Sequence, residues 1–185
     1  MTPEQPVFFY DLGSPECYLV SERVMGELDP VPEWEPVHAA ALEIGLSAGD
    51  REALAATAAE LGLLPLRWPS AWPPDTALAM LTATWAKRGG RAVAYSQAAF
   101  RQAFAGGRDL GNEGTVLIAA AACEMHPTAV LKGVTLRATA AALAAANQRA
   151  REAGVTALPT LALGRELFAG PDCLEQAQAA LARAS

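Results

Sequence analysis

The chain has 185 residues, 52% of them hydrophobic, 18% charged and 6% aromatic, with a formal net charge of −6. The length fits one compact domain, and the apolar fraction excludes a chain that is disordered throughout. The acid excess argues against a nucleic-acid partner, which would need a concentrated basic face. Alanine accounts for 42 residues. It forms helix at no side-chain entropy cost, so closely packed helices are expected rather than a bulky aromatic core. No segment reaches the roughly 18 apolar residues of a membrane span. The first six residues show neither a basic nor an apolar leader region, and the cytoplasm is the expected compartment.

In chain order, Val7-Phe8-Phe9-Tyr10 predicts a buried strand. Asp11-Leu12-Gly13 breaks it. Ser14-Pro15-Glu16 then reads as a helix start, with serine as N-cap, proline next and an acid in the first turn. Cys17, Val20, Val24 and Leu28 continue as one apolar face. Trp34 to His38 predicts a second strand, which Pro36 places at an edge or makes irregular. Residues 43–125 read as mostly helical, interrupted by the proline-rich loop holding Trp68-Pro69 and Trp72-Pro73-Pro74. Pro127 starts a short helix, and Leu136, Ala140, Leu143 and Asn147 mark a long one ending at Gly154. Thr160–Leu163 and Glu166–Phe168 predict two strands joined by a Gly164-Arg165 hairpin, and a last helix follows Asp172. A β-α-β opening and a ββα closing around helices is an α/β layout: a thioredoxin-like fold with an all-helical insertion. The division expected is 1–42 with 126–185 as the thioredoxin-like domain and 43–125 as the insertion.

Three cysteines, Cys17, Cys123 and Cys173, lie far apart without a CxxC pair. With only His38 and His126 beside them, neither a disulfide framework nor a metal site is expected. Ser14 stands at the mouth of the first helix, where this fold places a reactive thiol or its hydrogen-bond partner. Taken alone it is a plain N-cap. Leu158-Pro159-Thr160, directly before a strand, is a candidate cis peptide that leaves the Leu158 backbone free to pair with an extended ligand.

Phe9-Tyr10-Asp11-Leu12-Gly13-Ser14-Pro15 resembles the opening of the 2-hydroxychromene-2-carboxylate isomerases and kappa-class glutathione transferases. Gly154–Thr160 and Glu166–Asp172 resemble that family's closing segment, and Arg67-Trp68-Pro69 and Gly107–Leu110 its insertion. The resemblance implies a DsbA-like thioredoxin fold. It also implies a bound glutathione, or another low-molecular-weight thiol, whose sulfur is hydrogen-bonded by Ser14. By the same resemblance the backbone at Leu158 and Pro159 pairs with the peptide, and Asp172 with the adjacent helix N-terminus holds its γ-glutamyl end; Cys173, where that family commonly has a basic residue, is a further cofactor-binding candidate. The implied reaction is isomerisation or transfer on a small aromatic or electrophilic substrate, with a homodimer as a possible assembly.

The departures from that pattern are informative. Glu16 replaces a usually aromatic residue, and an acid there opposes a thiolate. Ser14-Pro15-Glu16-Cys17 stands where disulfide oxidoreductases carry Cys-Pro-x-Cys, so no dithiol cycle is available within the motif. Two alternatives therefore stay open: an oxidoreductase using Cys17 as a monothiol, and a non-catalytic binding protein of the same fold. Glu16, Cys17, His38 and Trp68 are the substrate or redox candidates, with loop or core packing as the competing reading for the last three.

Overall fold

The first apolar run forms β1 (Val7–Tyr10) in the computed structural model, which describes residues 5–184. The segment Met1–Glu4, read above for leader features, lies outside the described residues. Next come α1 (Pro15–Ser21), α2 (Val24–Glu27) and β2 (Glu33–Pro36). The single helix expected over Cys17 to Leu28 is thus two helices. The Ser21 hydroxyl donates to the Tyr18 carbonyl at 2.7 Å, and Arg23 N–H donates to Val20 O, a tightened turn that ends α1. The apolar residues of the expected face remain buried on either side of that break.

The helical block follows: α3 (Arg51–Glu60), α4 (Ala77–Arg88), α5 (Ala92–Phe104), α6 (Glu113–Ala121), α7 (Pro127–Val134) and α8 (Arg137–Ala153). The chain closes with β3 (Thr160–Leu163), β4 (Glu166–Ala169) and α9 (Cys173–Ala184). The sheet order is β2-β1-β3-β4, with β1 parallel to β2 and antiparallel to β3. β2 lies at an edge, so Pro36, which lacks an N–H, costs no inner ladder bond. Gly164 takes a left-handed φ of 60° in the β3–β4 hairpin, as a Gly-X turn requires.

Two kinds of packing hold these layers. Helix meets helix through alanine: Ala79, Ala83 and Ala86 of α4 and Ala99 and Ala103 of α5 are buried at helical spacing. The few aromatics gather where the sheet meets the helices. Phe8 and Tyr10 of β1 contact Trp34 of β2 at 5.1 and 5.4 Å between ring centroids, and Tyr10 and Tyr18 both reach Phe100 of α5. An aromatic seam was not expected from a 6% aromatic content; these rings are concentrated rather than dispersed. The Tyr10 hydroxyl and Ser96 Oγ share a 2.6 Å hydrogen bond that pins α5 to β1. Gly133 allows α7 to meet α4, because a Cβ there would lie 2.3 Å from the Trp85 indole.

Candidate functional site

The turn between β1 and α1 is built around Asp11, which is fully buried. One carboxylate oxygen, Oδ1, accepts from Gly13 N–H at 2.8 Å. The other, Oδ2, accepts from Ala39 N–H at 2.8 Å and from the Thr76 hydroxyl at 3.2 Å. Three chain segments thereby meet on one carboxylate: the β1–α1 turn, the turn after β2, and the start of α4. Burial pushes the Asp11 carboxyl above the usual carboxylate range, while its three donors and the nearby His38 act the other way. Gly13 must be glycine for a separate reason. A Cβ there would lie 2.7 Å from Leu46, 2.8 Å from Thr76 and 2.9 Å from Pro74.

Ser14 is the N-cap of α1 and is 5% exposed. Its Oγ accepts from Cys17 N–H at 3.1 Å. That bond uses an oxygen lone pair and leaves the hydroxyl proton as a donor. On the opposite wall, the chain turns through a 3-10 segment, Ala39–Leu42, into Glu43, whose φ of 59° is left-handed. The third wall is the Leu158–Pro159 peptide, which is cis. Thr160 begins the β1–β3 ladder, and the Pro159 carbonyl accepts from Gly170 N–H at 2.9 Å. Among the described residues, none hydrogen-bonds the Leu158 backbone.

Ser14, Glu16, Glu43, Ser47 and Leu158 line a single cleft of about 300 Å³. Glu16 also borders an adjoining hollow of about 370 Å³, where Asp172, Asp50, Arg23 and Glu175 stand. The Glu16 carboxyl is half-buried and raised by desolvation. Arg23 is engaged on both sides, by Glu27 at 2.7 Å and Glu175 at 2.6 Å.

The candidate residues therefore divide. Ser14, Glu16 and Leu158 share one cleft, with Pro159 setting the Leu158 backbone; Asp172 stands in the neighbouring hollow. His38 lies in a separate hollow with Ile44, Leu46 and Thr76, and its N–H donates to Asn147 Oδ1 at 2.9 Å. Trp68 packs edge-on against Trp72 at 5.2 Å and carries the Arg51 guanidinium 4.3 Å above its ring. Cys17 and Cys173 are fully buried, so Cys173 offers no side chain to a ligand, in contrast to its expected place beside one. As the first residue of α9, it turns into the core, away from the surface that Asp172 occupies. Burial drives the Cys17 thiol far above its ordinary range and the Cys173 thiol up to about 12. Asp11, Gly13, Glu43 and Ser47 were missed by the sequence reading. The Asp-x-Gly spacing signals a local turn, but the bonds to Ala39 and Thr76 span 28 and 65 residues.

The profile of the DSBA-like thioredoxin domain matches residues 7–182. The chain belongs to that family. Among solved structures, a 2-hydroxychromene-2-carboxylate isomerase superimposes with a TM-score of 0.83 at 19% identity, over 98% of this chain and 96% of that one. The cytosolic disulfide reductase DsbM of Pseudomonas aeruginosa, solved with GSH, gives 0.69 at 17% identity over 98% of each chain. DsbA of the same organism gives 0.56 at 14% identity, over 98% of this chain and 91% of that one. No curated protein sequence matches. At these identities the superpositions establish a shared fold. That fold is therefore shared with an isomerase and with a disulfide reductase.

Proposed function

We propose that this DSBA-like protein is a thiol-dependent isomerase or transferase that binds a low-molecular-weight thiol, of which glutathione is the reference case, and presents its sulfur to a small aromatic or electrophilic substrate. One observation carries the reading: a nearly buried hydroxyl and a main-chain segment at Leu158 with no hydrogen-bond partner among the described residues line the same cleft. The Leu158 N–H and C=O suit the backbone of an extended peptide-like thiol. The Ser14 O–H donates to the sulfur and favours its thiolate over the thiol.

For isomerisation, the thiolate adds to the β-carbon of a conjugated ketone. A C–S bond forms and the electron pair moves onto the carbonyl oxygen as an enolate. The former double bond rotates, and collapse of the enolate expels the thiolate and restores the alkene with the other geometry. Nothing is oxidised or reduced, and the thiol is regenerated. The protein's role is to hold the sulfur ionised and oriented.

The oxidoreductase alternative needs a reactive Cys17. Its thiol is fully buried and held protonated by desolvation, which weighs against it. A cytoplasmic location completes the proposal, with a homodimer as the assembly that the resemblance implies. The test is Ser14→Ala, assayed with glutathione on a cis-enone whose isomerisation is followed by absorbance. Turnover is expected to fall about 10- to 100-fold, the cost of a lost donor at a developing anion. Unchanged turnover overturns the role of Ser14.

A further inference from the structure

The Ser14 cleft has a charge that its proposed ligand must match. Among the described residues, its ionisable lining residues are Glu16 and Glu43, and no lysine, arginine or histidine lines it. The adjoining hollow adds Asp50, Asp172 and Glu175 against Arg23 alone. Arg23 is already committed to Glu27 and Glu175, so it brings no free positive charge toward the cleft. Asp50 is likewise used, as N-cap of α3, accepting from Glu52 and Ala53 N–H. His38 stands in a separate hollow that shares the Ile44–Leu46 wall.

Glutathione is poorly matched to these walls. It brings two carboxylates for one ammonium, and ionising its sulfur adds a further negative charge. Each carboxylate would face Glu16 or Glu43 without a basic partner, and like charges in a partly desolvated cleft oppose binding. The two glutamates differ in depth. Glu16 sits half-buried in the first turn of α1, whereas Glu43 is exposed. Glu43 adopts a left-handed backbone that glycine would take more easily, and Glu43 N–H donates to the Ala40 carbonyl at 3.2 Å there.

We infer that Glu16 and Glu43 select an amine-bearing thiol without free carboxylates, whose ammonium they receive while Ser14 holds the sulfur. This inference rests on the thiol-binding reading above and names the chemical class of the thiol. The selection works by repulsion as well as attraction: the same two carboxylates that receive an ammonium reject a carboxylated competitor. An ammonium on the ligand also offsets the penalty that Glu16 places on the thiolate, so one pairing serves binding and sulfur ionisation together.

Glutathione and its diethyl ester test this directly. They share a backbone and a sulfur, but esterification removes both carboxylates and leaves the ammonium. Calorimetric titration of the wild-type protein at neutral pH and low salt is expected to favour the diester by about tenfold or more. In the Glu16→Gln, Glu43→Gln double variant the preference is expected to shrink toward unity, with glutathione tightening and the diester weakening. The comparison across proteins cancels any gain from burying the ethyl groups. Added salt is expected to narrow the wild-type preference. If the double variant melts early, Glu16→Gln alone carries the same test with a smaller change.

A wild-type preference for glutathione, or a preference unchanged by the glutamine substitutions, overturns the inference. Equal binding of both thiols that Ser14→Ala weakens overturns the inference and leaves the thiol-binding reading standing. Failure of both thiols to bind the wild-type protein overturns the two together.

Discussion

Ser14 and Cys17 stand one helical turn apart, joined by a 3.1 Å hydrogen bond, yet the cleft beside Ser14 and the core around Cys17 offer sulfur opposite environments. At Ser14 a hydroxyl borders open volume beside an unpaired main chain. At Cys17 a thiol is sealed among apolar side chains, close enough to Cys173 for two thiolates to repel. Depth accounts for the difference. A sulfur that enters from solvent meets a donor without being sealed from water, whereas at Cys17 and Cys173 desolvation outweighs the nearby donors, Ser14 among them, and keeps the thiols protonated. On the proposed reading, a DSBA-like frame with serine where oxidoreductases carry the attacking cysteine presents a borrowed sulfur instead.

The largest expected effect lies in the carboxylate that joins the walls of the cleft. Asp11→Ala strands two backbone N–H groups and the Thr76 hydroxyl in a buried turn. Unsatisfied buried donors cost about 1–3 kcal/mol each, so a loss of about 3 kcal/mol or more is expected in denaturant melts. Thiol affinity is expected to fall with it, because the same carboxylate ties the Ser14 turn to the segment leading to Glu43. An Asp11→Ala protein of wild-type stability would show that the walls are held by something else.

Next is the boundary between cleft and core. Ser14→Ala removes a helix cap as well as a sulfur donor, so about 1 kcal/mol of stability is expected to go with the loss of turnover. Ser14→Asp separates the two functions. An aspartate caps the helix well, but its anion faces the incoming sulfur. Stability is expected to recover while thiol binding falls below that of Ser14→Ala. Recovery of both would mean that Ser14 acts only as a cap.

How far these regions were legible in the sequence depends on the range of the interaction. The order of elements along the chain, the Gly164 hairpin and the helix start at Ser14-Pro15 are local signals, read from neighbours in the chain. Pro36 left β2 either at an edge or irregular, since a missing N–H does not suit an inner strand, and β2 forms as a regular edge strand. The cleft was only half legible. Ser14 and Leu158 carry short-range signatures, but Asp11 works through residues brought close by the fold. Glu43 gave no signal either, because a glutamate does not advertise a left-handed backbone as glycine does. The burial of Cys173 was hidden too: helix phase alone does not say which side of α9's first turn faces the core.

The core side of the comparison has its own test in alkali. Cys173 rises from an ordinary 9.0 to about 12 on folding, and Cys17 rises further. The folded state therefore binds these protons more tightly than the unfolded chain. Their stabilisation is complete below pH 9.0 and is lost as pH climbs from there toward each folded value. Each thiol contributes a slope of at most about 1.4 kcal/mol per pH unit. Tyr10, Tyr18 and Tyr95 are also raised, from an ordinary 10.0, so the cysteines dominate the onset just above pH 9.0. Denaturant melts of Cys17→Ala, Cys173→Ala are expected to be less stable than wild type at neutral pH but flatter across that onset. An unchanged slope would mean that the thiols are less buried than their surroundings indicate. Turnover at neutral pH is expected to persist, since neither sulfur takes part.

The smallest effect separates packing from recognition at the edge of the second hollow. Arg51 opens α3 and lies 4.3 Å above the Trp68 ring, which packs in turn against Trp72 and Phe104. This fastens α3 to the proline-rich loop, and Ala53, Leu54 and Thr57 of that helix form one wall of the hollow holding Asp172. A cation above a partly exposed aromatic contributes about 0.5–1 kcal/mol, so Arg51→Ala is expected to lower stability by about that amount. Trp68→Ala is expected to cost more, through lost ring contacts. If Trp68 were a substrate wall, its removal would raise KM for aromatic substrates more than for aliphatic ones of similar reactivity. As a packing residue it should change both alike, with Arg51→Ala following the same trend more weakly. Steady-state kinetics on a matched aromatic and aliphatic enone, alongside thermal melts of both variants, decides between the two.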